Sequence, residues 1–512
     1  MSGCFKVGPD FVKPEAPVAG EWPDAGDPRV RTEPSEYIDW WKVFNDPTLN
    51  TLIEMAYQQN LTLHIAGLRI LEARAALGIA VGEQYPQVQQ ARADGTRVNL
   101  SKNAPNSAGA DRFYWDYSMG FDAAWELDFW GKFRRAVESE VANLESSVAD
   151  YDDFLVTLIA EVARTYVVIR TLEERLEVAH ENVRVQEGSL DIAVKRFEGG
   201  VVTDLDVQQA KSLLAETQAL IPSLKSDLRQ AKNGLAILLG LLPAEIDAIV
   251  DEPKPIPTVP PQVVVDIPAD LLRRRPDIRL AELQVAAQSP RVGVAKADLY
   301  PHFQLFGSIG LRSSEGSPTK AGSSSFDDLF DSDSIELFAG PSLSWDLFNY
   351  GRIKNRVRVQ DARLQQLIVN YQNTVLKAHQ EVENALVSFL RAQEEEAFLL
   401  ESVKASRKSV EIADLQYREG LVDYQRVLDT QRSLTAQEDR LSSTSGSVAT
   451  SLIAMYKALG GGWQIRFDKD YVPAEIKEEM RERTNWGGLL DPEEVELPAN
   501  DKERRKWRWP DW

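Results

Sequence analysis

Cys4 carries the only thiol in a chain of 512 residues, so an internal disulfide and a multi-cysteine metal site are both excluded. The four histidines, His64, His180, His302 and His379, lie far apart and lack the close pairing of a metal-binding helix, so each reads as a helix- or strand-surface residue. No phosphate-cradling glycine loop and no Gly-x-Ser-x-Gly elbow occurs. Glu394-Glu395-Glu396 reads as a solvated face. Gln425 and Asp429, one helical step of four apart, share a face. These residues do not compose an enzyme, and no metal site and no dissociable cofactor is expected.

The elements that would position them are legible from periodicity. From Phe113 to Leu127 apolar Phe113, Trp115, Tyr117, Met119, Phe121, Ala123, Trp125 and Leu127 alternate with Tyr114, Asp116, Ser118, Gly120, Asp122, Ala124 and Glu126, the period of a strand with one oily and one wet face. After Gly131 the period becomes helical. Val141, Leu144, Val148, Tyr151, Leu155, Leu158, Val162, Ile169, Leu172 and Leu176 keep coiled-coil spacing, with only Thr165 polar among them. A helix from 129 to 198 would be roughly 100 Å long at about 1.5 Å per residue.

The pattern recurs. Trp125-Glu126-Leu127 and Gly131 match Trp345-Asp346-Leu347 and Gly351 at a shift of 220 (345 − 125 and 351 − 131). The shift persists through Leu144 with Leu364, Tyr151 with Tyr371, Val162 with Val382, Gly200 with Gly420 and Leu239-Gly240 with Leu459-Gly460. Upstream it is 215, since Tyr85-Pro86 pairs with Tyr300-Pro301. The chain is a tandem duplication of helix, strand, strand, long helix and helix. The first repeat spans 35–250, with strands at 87–100 and 113–127, a long helix at 129–198 and a return helix at 201–240. The second spans 269–462, with strands at 302–312 and 334–347, a long helix at 350–419 and a return helix at 421–460. The strand at 87–100 is the weakest, carrying small Ala91, Ala93 and Gly95. A proline-rich connector at 251–268 joins the halves, and a polar, tryptophan-rich tail at 463–512 follows.

A net charge of −21 argues against a nucleic-acid partner, because a phosphate backbone demands clustered Lys and Arg. The basic run Arg273-Arg274-Arg275 precedes Pro276-Asp277 at a helix start and reads as structural. No apolar run reaches the roughly 18–20 residues of a membrane helix, and alternating strands are the other way through a bilayer. Periodicity alone does not separate that reading from a soluble sheet covered by helices. Four strands cannot close a membrane barrel, whose usual minimum is about eight, so closure needs several chains. Acidic Asp116, Asp122, Glu126 and Asp346 on the wet face would give its lumen a negative potential.

Met1-Ser2-Gly3-Cys4, followed by a polar arm with Pro9, Pro14, Pro17, Pro23, Pro28 and Pro34, resembles a bacterial lipoprotein cleavage site. Residues 1–3 then read as the remnant of a signal region, and 4–34 as a lipidated arm whose Cys4 carries the acyl chains. Met1 stands where such a site carries an aliphatic residue.

Further stretches carry a family resemblance. Trp40-Trp41-Lys42-Val43-Phe44-Asn45-Asp46-Pro47, Leu271-Leu272-Arg273-Arg274-Arg275-Pro276-Asp277-Ile278-Arg279, Tyr417-Arg418-Glu419-Gly420, Val427-Leu428-Asp429-Thr430-Gln431-Arg432-Ser433-Leu434 and Leu459-Gly460-Gly461-Gly462-Trp463 resemble the TolC-like outer membrane factors. The closer likeness is to the lipoprotein branch serving resistance-nodulation-division type efflux pumps. Tyr350 stands where many members carry a second glycine, and the tail after Trp463 is longer than usual.

The resemblance implies a mainly α chain with a membrane β-barrel, in which a homotrimer closes twelve strands in the outer membrane and continues them as a twelve-helix α-barrel through the periplasm. It implies a passive export duct joined to a periplasmic membrane-fusion adaptor and an inner-membrane pump. A type I protein secretion duct of the same architecture and a soluble coiled-coil scaffold are the alternatives. It further implies a gate at the periplasmic end built from Tyr417, Gln425, Arg426 and Asp429. The two glycine turns, with Gly199, Gly200, Val201 and Val202 in one and Gly420, Leu421 and Val422 in the other, are the expected adaptor-docking site, because both put apolar residues at an end that faces water.

Overall fold

Heptad seams as long as those after Gly131 and Gly351 bury their stripe only against other helices, and they set the architecture. The computed structural model describes residues 6–490 apart from 19, 21, 25, 33–36, 104–111, 251, 266–273 and 316–324. Within it α1 (Pro47–Gln59) and α2 (Leu61–Gly82) lead into β2 (Val88–Asn99) and β3 (Phe113–Glu126), then α3 (Lys132–Glu198) and α4 (Asp204–Leu238). The second half repeats the order with α5 (Pro276–Ala297), β5 (His302–Glu315), β6 (Ile335–Ser344), α6 (Arg352–Arg418) and α7 (Tyr424–Ala458), followed by α8 (Ala474–Arg483). Short β1 (Val30–Thr32) pairs in parallel with β4 (Val263–Val265), tying the N-terminal arm to the connector.

Helices α3 and α6 have 67 residues each, about 100 Å at the usual rise. They begin later than periodicity predicts, because Gly131 (φ 79°) and Gly351 (φ 82°) hold the left-handed conformation where strand direction turns into helix. Seam residues Leu144, Tyr151, Leu155, Leu158, Val162, Ile169 and Leu172 are buried. No helix among the described residues is long and apolar enough to cross a membrane.

The four long strands form one antiparallel sheet in the order β2-β3-β5-β6. Gly120 lies opposite Gly310, where a Cβ on Gly120 would come within 2.7 Å of the Ile309 carbonyl oxygen, so only glycine lets the two central strands approach. Strand β2 is a full 12 residues long despite its small side chains, since β3 supplies the partner ladder and Ser118 donates to Asp94 across it. One face exposes Phe113, Trp115, Met119, Phe121, Leu305, Ile309, Ile335, Leu337 and Leu343. The opposite face is polar, but less acidic in effect than its composition predicts. Asp116 pairs with Arg312 at 2.9 Å and Asp122 with Arg92 at 3.4 Å, so two of the four carboxylates expected to charge the lumen are already answered by cross-strand arginines, while Glu126 lies 2.7 Å from the His302 ring nitrogen.

The main core lies at the middle of the long helices. Trp40, Trp41 and Phe44 pack with Leu49, Leu52 and Ile53 of α1 against Leu155 to Ile169 of α3, Phe389 and Leu390 of α6 and Leu452, Ile453 and Met455 of α7. The tail, whose placement the sequence leaves open, continues this core: Arg466 pairs with buried Asp152, and Val472, Met480 and Leu490 pack on Leu71 of α2. Residues 491–512 lie outside the described residues.

The N-terminal arm is pinned along the surface. Val7 donates its N–H to the Trp130 carbonyl at 3.0 Å, Arg135 donates to the Val7 carbonyl at 3.2 Å, Gln372 to that of Glu15 at 3.1 Å, and Trp22 packs on His379 with ring centroids 5.6 Å apart. His379 is therefore covered by the arm, not the open surface residue expected from sequence, and that burial holds its ring below the usual histidine pKa.

Candidate functional site

Both glycine turns at the end of the molecule remote from the sheet close by the same hydrogen-bond pattern. Val201 donates to the Arg196 carbonyl at 2.9 Å and Gly200 to that of Phe197 at 2.9 Å; Leu421 donates to Gln416 at 2.8 Å and Gly420 to Tyr417 at 3.0 Å. Gly200 (φ 73°) and Gly420 (φ 76°) are left-handed, which completes the Schellman cap that uses up the last helical carbonyls. Gly199 is right-handed at φ −73° and belongs to the helix end. Such a cap accommodates an apolar residue after its glycine for its own packing, yet Val201 stays 66% and Leu421 74% exposed. Val202 and Val422 are both half-buried, and Val422 packs against a small cluster of Val207, Leu213, Ala413, Tyr417, Tyr424 and Val427.

The four residues expected at the gate do not behave alike. Tyr417, near the end of α6, is buried, and its hydroxyl donates to Asp206 of α4 at 3.2 Å. Burial, with Asp206 adding to it, pushes that hydroxyl up to about 12, so it stays a donor at any physiological pH. Arg196 at the end of α3 lies over the Tyr417 ring, 4.6 Å from its centroid, and donates to the backbone carbonyls of Tyr417 and Arg418. Gln425 donates to Asp429 at 2.9 Å and accepts from Gln209 of α4 at 3.3 Å; both Gln425 and Asp429 are exposed. Arg426 is exposed too, and among the described residues no carboxylate lies within ion-pair distance of its side chain.

At the tip the α6–α7 hairpin is thus joined to the α3–α4 hairpin through Asp206 and Arg196, which sequence reading missed, beside the contact of Gln209 with Gln425. A signal was present in the repeat, because Asp206 is the counterpart of Arg426 (426 − 206 = 220). Asp414 of α6 belongs to the same layer: Ser189 of α3 donates to it at 3.5 Å, and burial pushes its carboxyl upward. Cys4 lies outside the described residues, but Lys6, two residues on, sits against Gly131 at the junction of β3 and α3. Among the described residues no cluster of side chains could hold a metal.

With two long helices, a four-stranded sheet and paired glycine turns in place, comparison with known proteins is informative. The family model described as outer membrane efflux protein matches residues 52–241 and 267–461. The chain is similar to the pyoverdine export outer membrane protein OpmQ of Pseudomonas putida, 32% identical over 457 residues that cover 88% of this chain and 93% of the relative. It is also similar to the probable outer membrane lipoprotein SilC of Salmonella typhimurium, 28% identical over 90% of this chain and 96% of the relative. Among solved structures it superposes on the outer-membrane channel OprN with a TM-score of 0.83 at 32% identity, covering 90% of this chain and 99% of that one. For VceC of Vibrio cholerae the TM-score is 0.74 at 27% identity, over 84% and 100% of the two chains. The soluble-scaffold alternative falls away, and the chain belongs to the TolC-like outer membrane efflux protein family, as the outer-membrane channel component of a tripartite efflux system and not an enzyme.

Proposed function

We propose that three copies of this chain close a twelve-stranded barrel in the outer membrane and a twelve-helix tunnel beneath it, forming a passive duct that receives its cargo from a periplasmic membrane-fusion adaptor and an inner-membrane pump of the resistance-nodulation-division type. The observation that carries this reading is the sheet itself. It is apolar on one face and mainly polar on the other, and among the described residues neither β2 nor β6 has a second partner strand, an arrangement that leaves two open edges unless other copies pair with them. Exposed Val387 and Phe398 along α6 likewise call for a helix that the described residues of one chain do not supply. Native mass spectrometry in detergent is expected to find a trimer; a stable monomer or dimer sinks the reading.

The anchor is Cys4. Lys6 lies beside Gly131, where sheet becomes helix, so a lipid two residues upstream would enter the leaflet at which the barrel ends. Two or three acyl chains anchor a protein stably. Mass spectrometry of the N-terminal peptide, from a chain expressed behind a lipoprotein signal peptide, should find Cys4 acylated; an unmodified thiol there defeats this part.

The gate is the remote end, where Tyr417, Gln425, Arg426 and Asp429 cluster with Asp206 and Arg196. Threefold symmetry would bring three Asp429 carboxylates together, a repulsion that cations, water or protonation must offset. The glycine turns are the docking site for the adaptor. Their support is that Val201 and Leu421 remain exposed although each cap is already complete, and six such turns in a trimer would add weak contacts by avidity. Replacing Gly200 and Gly420 with bulky residues should abolish adaptor cross-linking and efflux while trimer and membrane insertion survive. Wild-type cross-linking in that variant would move the docking site elsewhere.

A further inference from the structure

The two strand-to-helix junctions descend from one ancestral unit, and they treat their charges differently. In the first, Lys132 pairs with Asp298 at 3.0 Å, Arg134 with Asp128 at 3.0 Å, and Arg135 with Asp10 and Glu138 at 2.8 Å each. Trp130 is tucked in, stacked on Tyr300 with centroids 4.6 Å apart and donating to the Pro301 carbonyl at 2.8 Å. At the same repeat positions, 220 residues on, the second junction has Phe348 for Asp128, Tyr350 for Trp130, Arg352 for Lys132, Lys354 for Arg134 and Arg358 for Glu138. Two acids have become an aromatic and a cation. Among the described residues no carboxylate lies within ion-pair distance of Arg352, Lys354, Arg356 or Arg358, although the whole chain has a net charge of −21.

The aromatics are equally unanswered. Phe348 and Tyr350 are almost completely exposed, and Tyr350 holds a left-handed φ of 50°, a conformation costly for a bulky residue with nothing packed on it to enforce it. Which way the cations point follows from the heptad. Arg358 stands two and three heptads before Gln372 and His379, the residues that bind the N-terminal arm, and Lys354 is one helical step of four above it. At this level the arm lies on α3 instead, with Lys6 on Glu138, so among the described residues of one chain nothing covers Lys354 and Arg358, both exposed. These turns follow directly on the end of β6 and span less than about 10 Å, comparable to a headgroup layer.

We propose that Lys354 and Arg358, with Phe348 and Tyr350 as interfacial anchors, bind the phosphate headgroups of anionic phospholipid in the leaflet where the barrel ends. Aromatics at the interface with cations just beyond it match a bilayer surface in both polarity and charge. The inference rests on the membrane-channel reading above. It is tested on the full-length trimer in detergent by titrating short-chain phosphatidylglycerol, phosphatidylcholine and inorganic phosphate under native mass spectrometry. Wild type is expected to take up phosphatidylglycerol in preference to phosphatidylcholine, with free phosphate a poor competitor.

Lys354→Gln with Arg358→Gln should lower that affinity at least about tenfold, since each cation near an anionic surface contributes about fivefold. The same charge change far down the helix, Lys404→Gln with Lys408→Gln, should leave it unchanged. Equal uptake of both lipids, full competition by inorganic phosphate, or unaltered binding by the Lys354/Arg358 variant overturns the proposal. So does loss of trimer with lipid uptake intact, which would make these cations partners of a neighbouring copy. Planar-bilayer conductance of the same samples keeps the two readings apart, because a conducting channel without lipid preference defeats only this one.

Discussion

Replacing Tyr417 with Phe and Asp429 with Ala is expected to raise single-channel conductance in planar bilayers several-fold, and Asp206→Asn should reproduce the Tyr417 part of the effect. The Tyr417 hydroxyl reaches across from α6 to Asp206 on α4 at 3.2 Å, so this hydrogen bond helps tie the second repeat's hairpin to the first's at the tip, beside the longer Gln209–Gln425 contact. A bond to a charged acceptor in a buried layer contributes about 1.5–3 kcal/mol. Losing that much per chain moves a closed-to-open equilibrium by roughly tenfold or more. Arg196 adds a second tie through the carbonyls of Tyr417 and Arg418, which is why Arg196→Gln should act in the same direction. Asp429 contributes differently: it is exposed and bonded only to its own helix through Gln425, so its removal acts on the charge and width of the opening. Unchanged conductance in the double variant, with trimer intact, would place the constriction away from these residues.

Arg275→Met is expected to cost about 3 kcal/mol of stability, the lower part of the range for breaking a buried ion pair. Arg275 stands immediately before α5 with its side chain nearly all buried, and its guanidinium binds Asp277 through two bonds at 3.0 and 2.8 Å, Glu381 at 2.6 Å and the Ala458 carbonyl at 2.7 Å. One side chain therefore holds together the start of α5, the middle of α6 and the end of α7. Glu381 is about half exposed and can be rehydrated when the arginine is lost, which keeps the cost from being higher. Burial, with Asp277 adding to it, holds neighbouring Asp153 up to about 6, and losing the Arg275 charge should raise it further. A urea titration followed by far-ultraviolet circular dichroism checks the loss, and a midpoint indistinguishable from wild type would show that the arginine is dispensable.

Local periodicity carried the architecture, because whether a residue faces a neighbour or water repeats every two positions in a strand and about every 3.6 in a helix. Phe113 to Leu127 read as a strand and Val141 to Leu176 as a helical seam for that reason alone, and the internal repeat then placed β5, β6, α6 and α7 by arithmetic. Arg275 likewise read as structural from the proline and aspartate that follow it. What periodicity cannot express is which surfaces meet. The bond from Tyr417 to Asp206 joins residues 211 apart in sequence, and the repeat marks Asp206 only as the counterpart of Arg426, not as the partner of Tyr417. The pairing of Asp116 with Arg312 depends on the register of β3 against β5, which decides how much charge the wet face retains. The packing of residues 463–490 on α2, and of Trp22 on His379, depended on exposed stripes of the waist that only the assembled helices create. The sequence by itself determined the elements and their order, since those follow from each residue's own neighbours; the tertiary structure alone decided the partners, since a hydrogen bond or an ion pair is set by distance in space.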